Sequence, residues 1–251
     1  MLVVDPISQQ RFLIDATPDI VTQVDRANGV MPPPASSARP PLFDAIALTH
    51  AHIGHYGGLM QLGREAYGAN RQRVLASARM AQFLEANGPW SLLVKLSHIR
   101  VERFEADKAL ALNQRITLTP FAVPHRDEFS DTHGFIIRGP NRSVLWLPDI
   151  DKWERWDRRI EDLIATVDVA CIDGTFYDPG ELPGRAMSEV SHPFITESMT
   201  RFATLPERER GKIVFIHLNP TTPAATPGSK AQQAITRSGM RVAKEGERLP
   251  L

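Results

Sequence analysis

The chain opens with two short apolar runs, "LVVD" (2–5) and "RFLIDAT" (11–17), separated by "PISQQ". Strand-favouring residues on either side of a Pro/Ser turn predict a β-hairpin. The stretch "NGVMPPPASSARPP" (28–41) can continue neither a helix nor a central strand. It reads as an exposed loop rather than a domain linker, because apolar strand character resumes at once in "LFDAIALT". Further on, "RVLAS", "IRVERF", "QRITLTPFAV", "THGFIIRG" and "SVLWLPD" read as strands, with "GPNR" turning the last two into a hairpin. "ARMAQFLEAN" and "RWDRRIEDLIATV" have helical periodicity. Then come strand "DVACID", helix "PFITESMTRFAT", strand "KIVFIHL", helix "SKAQQAITRSG" ending at Gly239, and a short closing hairpin in "MRVAKEGERLPL". Strands outnumber helices early and alternate with them later, which predicts an α/β fold with sheets inside and helices outside.

Composition narrows the picture only slightly. With 251 residues and 42% hydrophobic positions, one globular domain over 1–251 is expected. A net charge of +0 gives no electrostatic reason to expect nucleic acid or an anionic membrane as partner, and no apolar run approaches membrane-spanning length. The single cysteine, Cys171, excludes an intramolecular disulfide and any thiolate-based zinc site, and reads as a small core hydrophobe. No signal peptide is legible at the start, so the chain as it stands is expected in the cytoplasm; a longer start carrying a signal would place it in the periplasm. A chain that begins inside a strand also points to a missing lead, with one or more N-terminal strands absent. The oligomeric state is open, a dimer included.

The chemistry lies in the histidines. "LTHAHIGHYGG" (48–58) places His50, His52 and His55 within six residues. His125 follows the strand "LTPFAV", and His217 ends "KIVFIH". Asp149 ends "SVLWLPD", and Asp173 ends "DVACID". Strand ends along one sheet edge are where α/β folds gather ligands. Neutral imidazole with carboxylate is the donor set for zinc, iron or manganese when thiolates are lacking. His50 and His52, two apart, point the same way in an extended segment, and Gly54 lets the chain turn before His55. His98, in "KLSHIR", reads as an ordinary surface or core histidine.

These motifs resemble the metallo-β-lactamase fold, whose first signature is usually His-x-His-x-Asp-His after a strand. "VPH" (123–125), "WLPD" (146–149) and "FIHLNP" (215–220) resemble its later motifs in order and spacing. "THAHIGHYGGLMQLGREA", "VPHRDEFSDTHGF", "LPDIDKW" and "DGTF" are similar to the pyrroloquinoline quinone biosynthesis protein B group. "IDGTF…SH…FIHL" is similar to the tail of the ribonuclease Z and phosphodiesterase branch. The resemblance implies an αββα sandwich with the site at one edge. It implies that His50, His52 and His125 bind a first metal, that His55 and His217 bind a second, and that Asp149 bridges them. Asp173 and His192 would form the acid/base pair. Zinc, one or two ions, is the implied cofactor, with iron or manganese as the other choices.

Two departures matter, the missing N-terminal lead and a glycine in the histidine loop. Gly54 stands where the family's aspartate would bind the second metal. Either a tight turn needs glycine there, or the second position is altered, weak or completed by another group; Asp127, Asp131 and His133 are the nearby candidates. Arg126, Lys152, Trp153 and Trp156 follow strand ends and read either as substrate contacts or as loop and packing residues. The expected activity is metal-dependent hydrolysis of a small phosphodiester or ester, with His192 protonating the leaving group. The alternatives are an iron-dependent oxygenase in quinone-cofactor biosynthesis and a non-catalytic binding or carrier protein. The loops at 28–41, 126–132 and 177–191 carry no motif that names a substrate.

Overall fold

The computed structural model describes residues 1–33, 41–182, 184 and 189–251, so residues 34–40 of the Pro/Ser-rich segment and most of 183–188 lie outside the described residues. The chain divides into two compact units, Met1–Ile116 with Asp127–Asp131, and Thr117–Arg126 with Thr132–Leu251.

In the first unit, β1 (Leu2–Asp5) and β2 (Gln10–Ile14) form the antiparallel hairpin that the sequence predicts. Asp5 holds its turn, accepting from Ile7 N at 3.0 Å and Ser8 Oγ at 2.9 Å. From β2 the sheet continues in parallel through β3 (Ala45–Ala47), β4 (Gln72–Ala76) and β5 (Ile99–Arg103), in the order β1-β2-β3-β4-β5. Parallel neighbours need crossovers. These are supplied by α1 (Ile20–Val30), by α2 (Ile53–Tyr56) with a following 3-10 turn, and by α3 (Ala78–Ala86) with α4 (Trp90–Lys95). Ser77 caps α3 by accepting from Met80 N at 3.1 Å. Ile20, Val24, Met80, Leu84 and Leu93 bury one helix face each against Leu13, Ile46 and Val74 of the sheet and Leu48 just beyond β3. Each fully buried side chain of this kind contributes about 1.5–3 kcal/mol. A two-residue strand, β6 (Leu110–Ala111), ends the unit's regular elements.

Two expectations change here. Helix α1 runs through Asn28 and Gly29 to Val30, so the exposed loop starts later than residue 28. The buried stripe Ile20, Val24, Ala27 carries the helix past residues of poor propensity. The alternation of strand and helix, expected only in the later half, already holds in the first.

In the second unit, β7 (Thr117–Val123), β8 (Thr132–Arg138) and β9 (Ser143–Leu147) are antiparallel. From β9 the sheet turns parallel, through β10 (Val169–Asp173) and β11 (Ile213–Ile216) to β12 (Arg241–Val242). The crossovers are α5 (Ile160–Ala165), α6 (Ile195–Phe202) with α7 (Glu207–Arg210), and α8 (Lys230–Arg237). Ser229 caps α8, accepting from Gln232 N at 3.1 Å, and Gly239 ends it at φ +84°. Ile160, Ile164, Ile195, Phe202 and Ile235 pack on Ala170, Ile172, Ile213 and Phe215. Alternate residues Val169 and Cys171 face the other side of the sheet with Val144 and Val214. The expected closing hairpin is replaced by β12, a parallel edge strand beside β11. A strand delivered by a helical crossover arrives parallel, and the polar "KEGER" after it lacks the alternation a second strand needs.

Candidate functional site

The predicted residues gather in two clusters, one in each unit. In the first unit the histidine loop follows β3. Asp15, just beyond β2 in the left-handed region at φ +62°, is buried beneath it. Its Oδ1 accepts from Thr49 N at 2.9 Å and from Thr49 Oγ1 at 3.0 Å, and its Oδ2 accepts from His55 Nδ1 at 2.8 Å. The Thr49 hydroxyl has one proton, which goes to Asp15. Its oxygen therefore accepts from His50 Nδ1, at 2.9 Å. His50 Nε2 is thereby left as a lone pair, 2.8 Å from His52 Nδ1. The other nitrogen of His52, Nε2, donates to Glu128 Oε2 at 3.0 Å.

The second unit repeats the device. Asp173, the last residue of β10, is fully buried. Its Oδ1 accepts from Thr175 N at 2.9 Å and Thr175 Oγ1 at 2.7 Å; its Oδ2 accepts from His192 Nδ1 at 2.7 Å and Ile150 N at 3.2 Å. The Thr175 oxygen accepts from His217 Nδ1 at 3.0 Å. His217, beyond β11, is held at φ +58°. His125 Nδ1 donates to Asp151 Oδ1 at 3.2 Å. The buried Asp149 carboxylate lies among three imidazoles: Oδ1 is 3.8 Å from His125 Nε2 and 3.6 Å from His192 Nδ1, and Oδ2 is 3.5 Å from His217 Nε2.

The arrangement fits a metal. His50, His52, His55, His125 and His217 each engage an oxygen through one ring nitrogen, which sets the tautomer and leaves the other nitrogen as a donor atom. His125, Asp149 and His192 each offer one ligand atom, all within 4.8 Å of one another. His192 has a second character. Burial pushes its pKa down most strongly, but the charge and hydrogen bond of Asp173, with the charge of Asp149, outweigh this and the opposing charge of Arg126. The net shift is upward from the ordinary histidine value.

Other expectations resolve around these clusters. Gly54 is the second residue of α2 and has no positive φ, and a Cβ built on it meets nothing within 4 Å. A tight turn therefore does not account for glycine at this position. Asp131 bonds Ser77 Oγ, Asp127 accepts from Arg79 through its carbonyl, and His133 is buried in β8, so among the described residues none of the three joins a ligand group. Trp153 and Trp156 are core residues, donating to Ser198 Oγ and to Ala122 O. Lys152 pairs with Glu197 at 2.6 Å across the Phe194 ring. Arg126 is exposed. His98 donates from Nδ1 to Ala69 O, the structural role expected of it. Asp15, Thr49, Glu128, Asp151 and Thr175 were not legible as site residues. Asp15 carried a local signal, an aspartate at the end of an apolar strand like Asp149 and Asp173, while Thr49, Glu128, Asp151 and Thr175 lay inside the quoted motifs without a role of their own.

With this geometry in place, comparison assigns the class. A family model described as "Beta-lactamase superfamily domain" matches residues 10–218, and the chain belongs to that family. Its fold is the mixed α/β metallo-β-lactamase fold, with sheets flanked by helices. Within the family it is similar to coenzyme PQQ synthesis protein B of Methylobacterium sp. (strain 4-46), at 26% identity over 100% of this chain and 86% of that one. Among solved structures it resembles Zn(2+)-bound PqqB from Methylobacterium extorquens, with a TM-score of 0.79 and 20% identity, covering 100% of this chain and 86% of that one. It also resembles the short form of human tRNase Z, with a TM-score of 0.60 and 15% identity over 100% and 93% of the two chains. Among the described residues no helix is long and apolar enough to cross a membrane.

Proposed function

We propose that this chain is a zinc-dependent hydrolase acting on a small phosphodiester or ester. The observation that carries the reading is the His192–Asp173 pair, joined at 2.7 Å with Asp149 3.6 Å from the same ring nitrogen. The residues that would hold zinc are His50, His52 and His55 in one unit and His125, Asp149 and His217 in the other, following the resemblance of their motifs. Zinc, when bound, supplies Lewis-acid polarisation and an acidified water. Asp173 fixes the Nδ1–H of His192 and leaves Nε2 to hold a proton and pass it to the leaving oxygen. The carboxylates of Asp173 and Asp149 favour the protonated ring, the form a general acid needs. Thr175 and the Ile150 amide keep Asp173 from rotating away.

A second reading has its own support. The similarity to proteins named for coenzyme PQQ synthesis spans the whole chain, and Gly54 removes a carboxylate from the usual donor set. In that reading the chain serves quinone-cofactor synthesis, with redox-active iron at the histidines. The test is metal content by elemental analysis, together with turnover of phosphodiester and lactone panels and oxygen uptake, on zinc-loaded and iron-loaded protein. Zinc-dependent hydrolysis that falls at least about 100-fold in His192→Ala supports the hydrolase. Oxygen uptake with iron and no hydrolysis supports the second reading. Bound metal without either leaves a carrier.

A further inference from the structure

We infer that Glu128 is a positioning residue that holds His52 in its metal-binding tautomer; the inference rests on the reading of His52 as a zinc ligand. Glu128 lies 76 residues beyond His52, in the five-residue segment Asp127–Asp131 that belongs to the first unit although its flanking strands belong to the second. That segment is fastened to the histidine loop and to α3 at several points. Ala51 N donates to Ser130 Oγ at 2.8 Å, Arg79 Nη2 donates to Asp127 O at 3.2 Å, Ser77 Oγ donates to Asp131, and the Phe129 ring lies 5.3 Å from that of Phe83. These ties bring the Glu128 carboxylate to His52 Nε2.

The chemistry follows from the protons. Asp15 and Thr49 leave His50 Nε2 without a proton, and it faces His52 Nδ1 at 2.8 Å. Without Glu128, His52 would place its proton on Nδ1 and donate it to His50 Nε2, a neutral N–H···N bond that consumes both donor atoms a metal needs. A carboxylate on Nε2 draws the proton to that side. With the proton on that side, both facing nitrogens present lone pairs, the arrangement that binding a cation through them requires. His50 and His55 take their acceptors from buried residues, whereas the Glu128 side chain is 50% exposed, so its replacement leaves the core intact.

The test uses the full-length protein, with zinc alone as ligand and Glu128→Ala and Glu128→Gln as variants. Competition against a chromophoric chelator gives the zinc Kd. Nitrogen-15 NMR of the metal-free protein reports which ring nitrogen of His52 carries the proton. Glu128→Ala is expected to weaken zinc binding at least about 10-fold and to move the His52 proton to Nδ1. Glu128→Gln, which keeps an acceptor oxygen, is expected to retain the Nε2–H tautomer and most of the affinity. A Glu128→Ala protein with wild-type Kd, or with Nε2 still protonated, overturns the inference. Wild-type protein that binds no zinc overturns the metal reading beneath it, and the tautomer measurement still separates that failure from a failure of Glu128 itself.

Discussion

Asp15 Oδ2 accepts the Nδ1–H of His55 at 2.8 Å, and the same carboxylate holds Thr49 through both its amide and its hydroxyl. Asp173 does the same for His192 and Thr175. In each unit one buried aspartate orients two histidines, one directly and one through a threonine hydroxyl.

Removing such an anchor leaves several buried donors unmet. Asp15→Ala is expected to lower unfolding free energy by about 3 kcal/mol, because Thr49 N–H, Thr49 O–H and His55 Nδ1–H all lose their acceptor. Asp15→Asn keeps one acceptor oxygen and should cost about half as much. Urea unfolding of the metal-free protein measures both, and a loss under about 1 kcal/mol for Asp15→Ala would show that the network is not structural.

Gly54→Asp tests whether the second metal position has been altered. The site has room for a side chain, and an acidic residue in the first turn of α2 meets the positive end of the helix. The variant is expected to fold with stability within about 1 kcal/mol of wild type and to bind more zinc per chain at a given free concentration. A steep drop in melting temperature would mean that glycine is required by the backbone after all.

His192 makes stability depend on pH. Its folded-state pKa is raised, so its contribution is fully present below the ordinary histidine value and is lost as pH rises through the folded value. Metal-free protein should therefore weaken as pH rises above the ordinary histidine value of about 6.5, and His192→Gln should flatten that slope. An unchanged slope in the variant would assign the effect to other groups.

Cys171 is expected to be chemically silent. It is 2% exposed, and burial pushes its thiol up to about 12. A thiol-specific alkylating reagent at neutral pH should label it only in denaturant. Labelling of the folded chain at a comparable rate would show that β10 opens.

Much of this was legible in the chain itself. Period-two apolar runs predicted most of the strands, because a strand needs only its own alternation to be read. His50, His52, His55, His125, Asp149, Asp173 and His217 stood out because polar residues at the ends of apolar runs are costly unless they have a use. Tertiary structure decided the rest. It brought Asp15 to residues 34 and 40 positions away, and Glu128 to one 76 positions away, pairings that no local pattern encodes. It held Asp15 and His217 in left-handed backbone, a strain of about 1–2 kcal/mol per residue, at positions where Asp15 accepts from Thr49 and His55 and His217 donates to Thr175. It also turned the final segment into a parallel edge strand, since strand direction is set by the crossover that delivers it and not by the residues it contains.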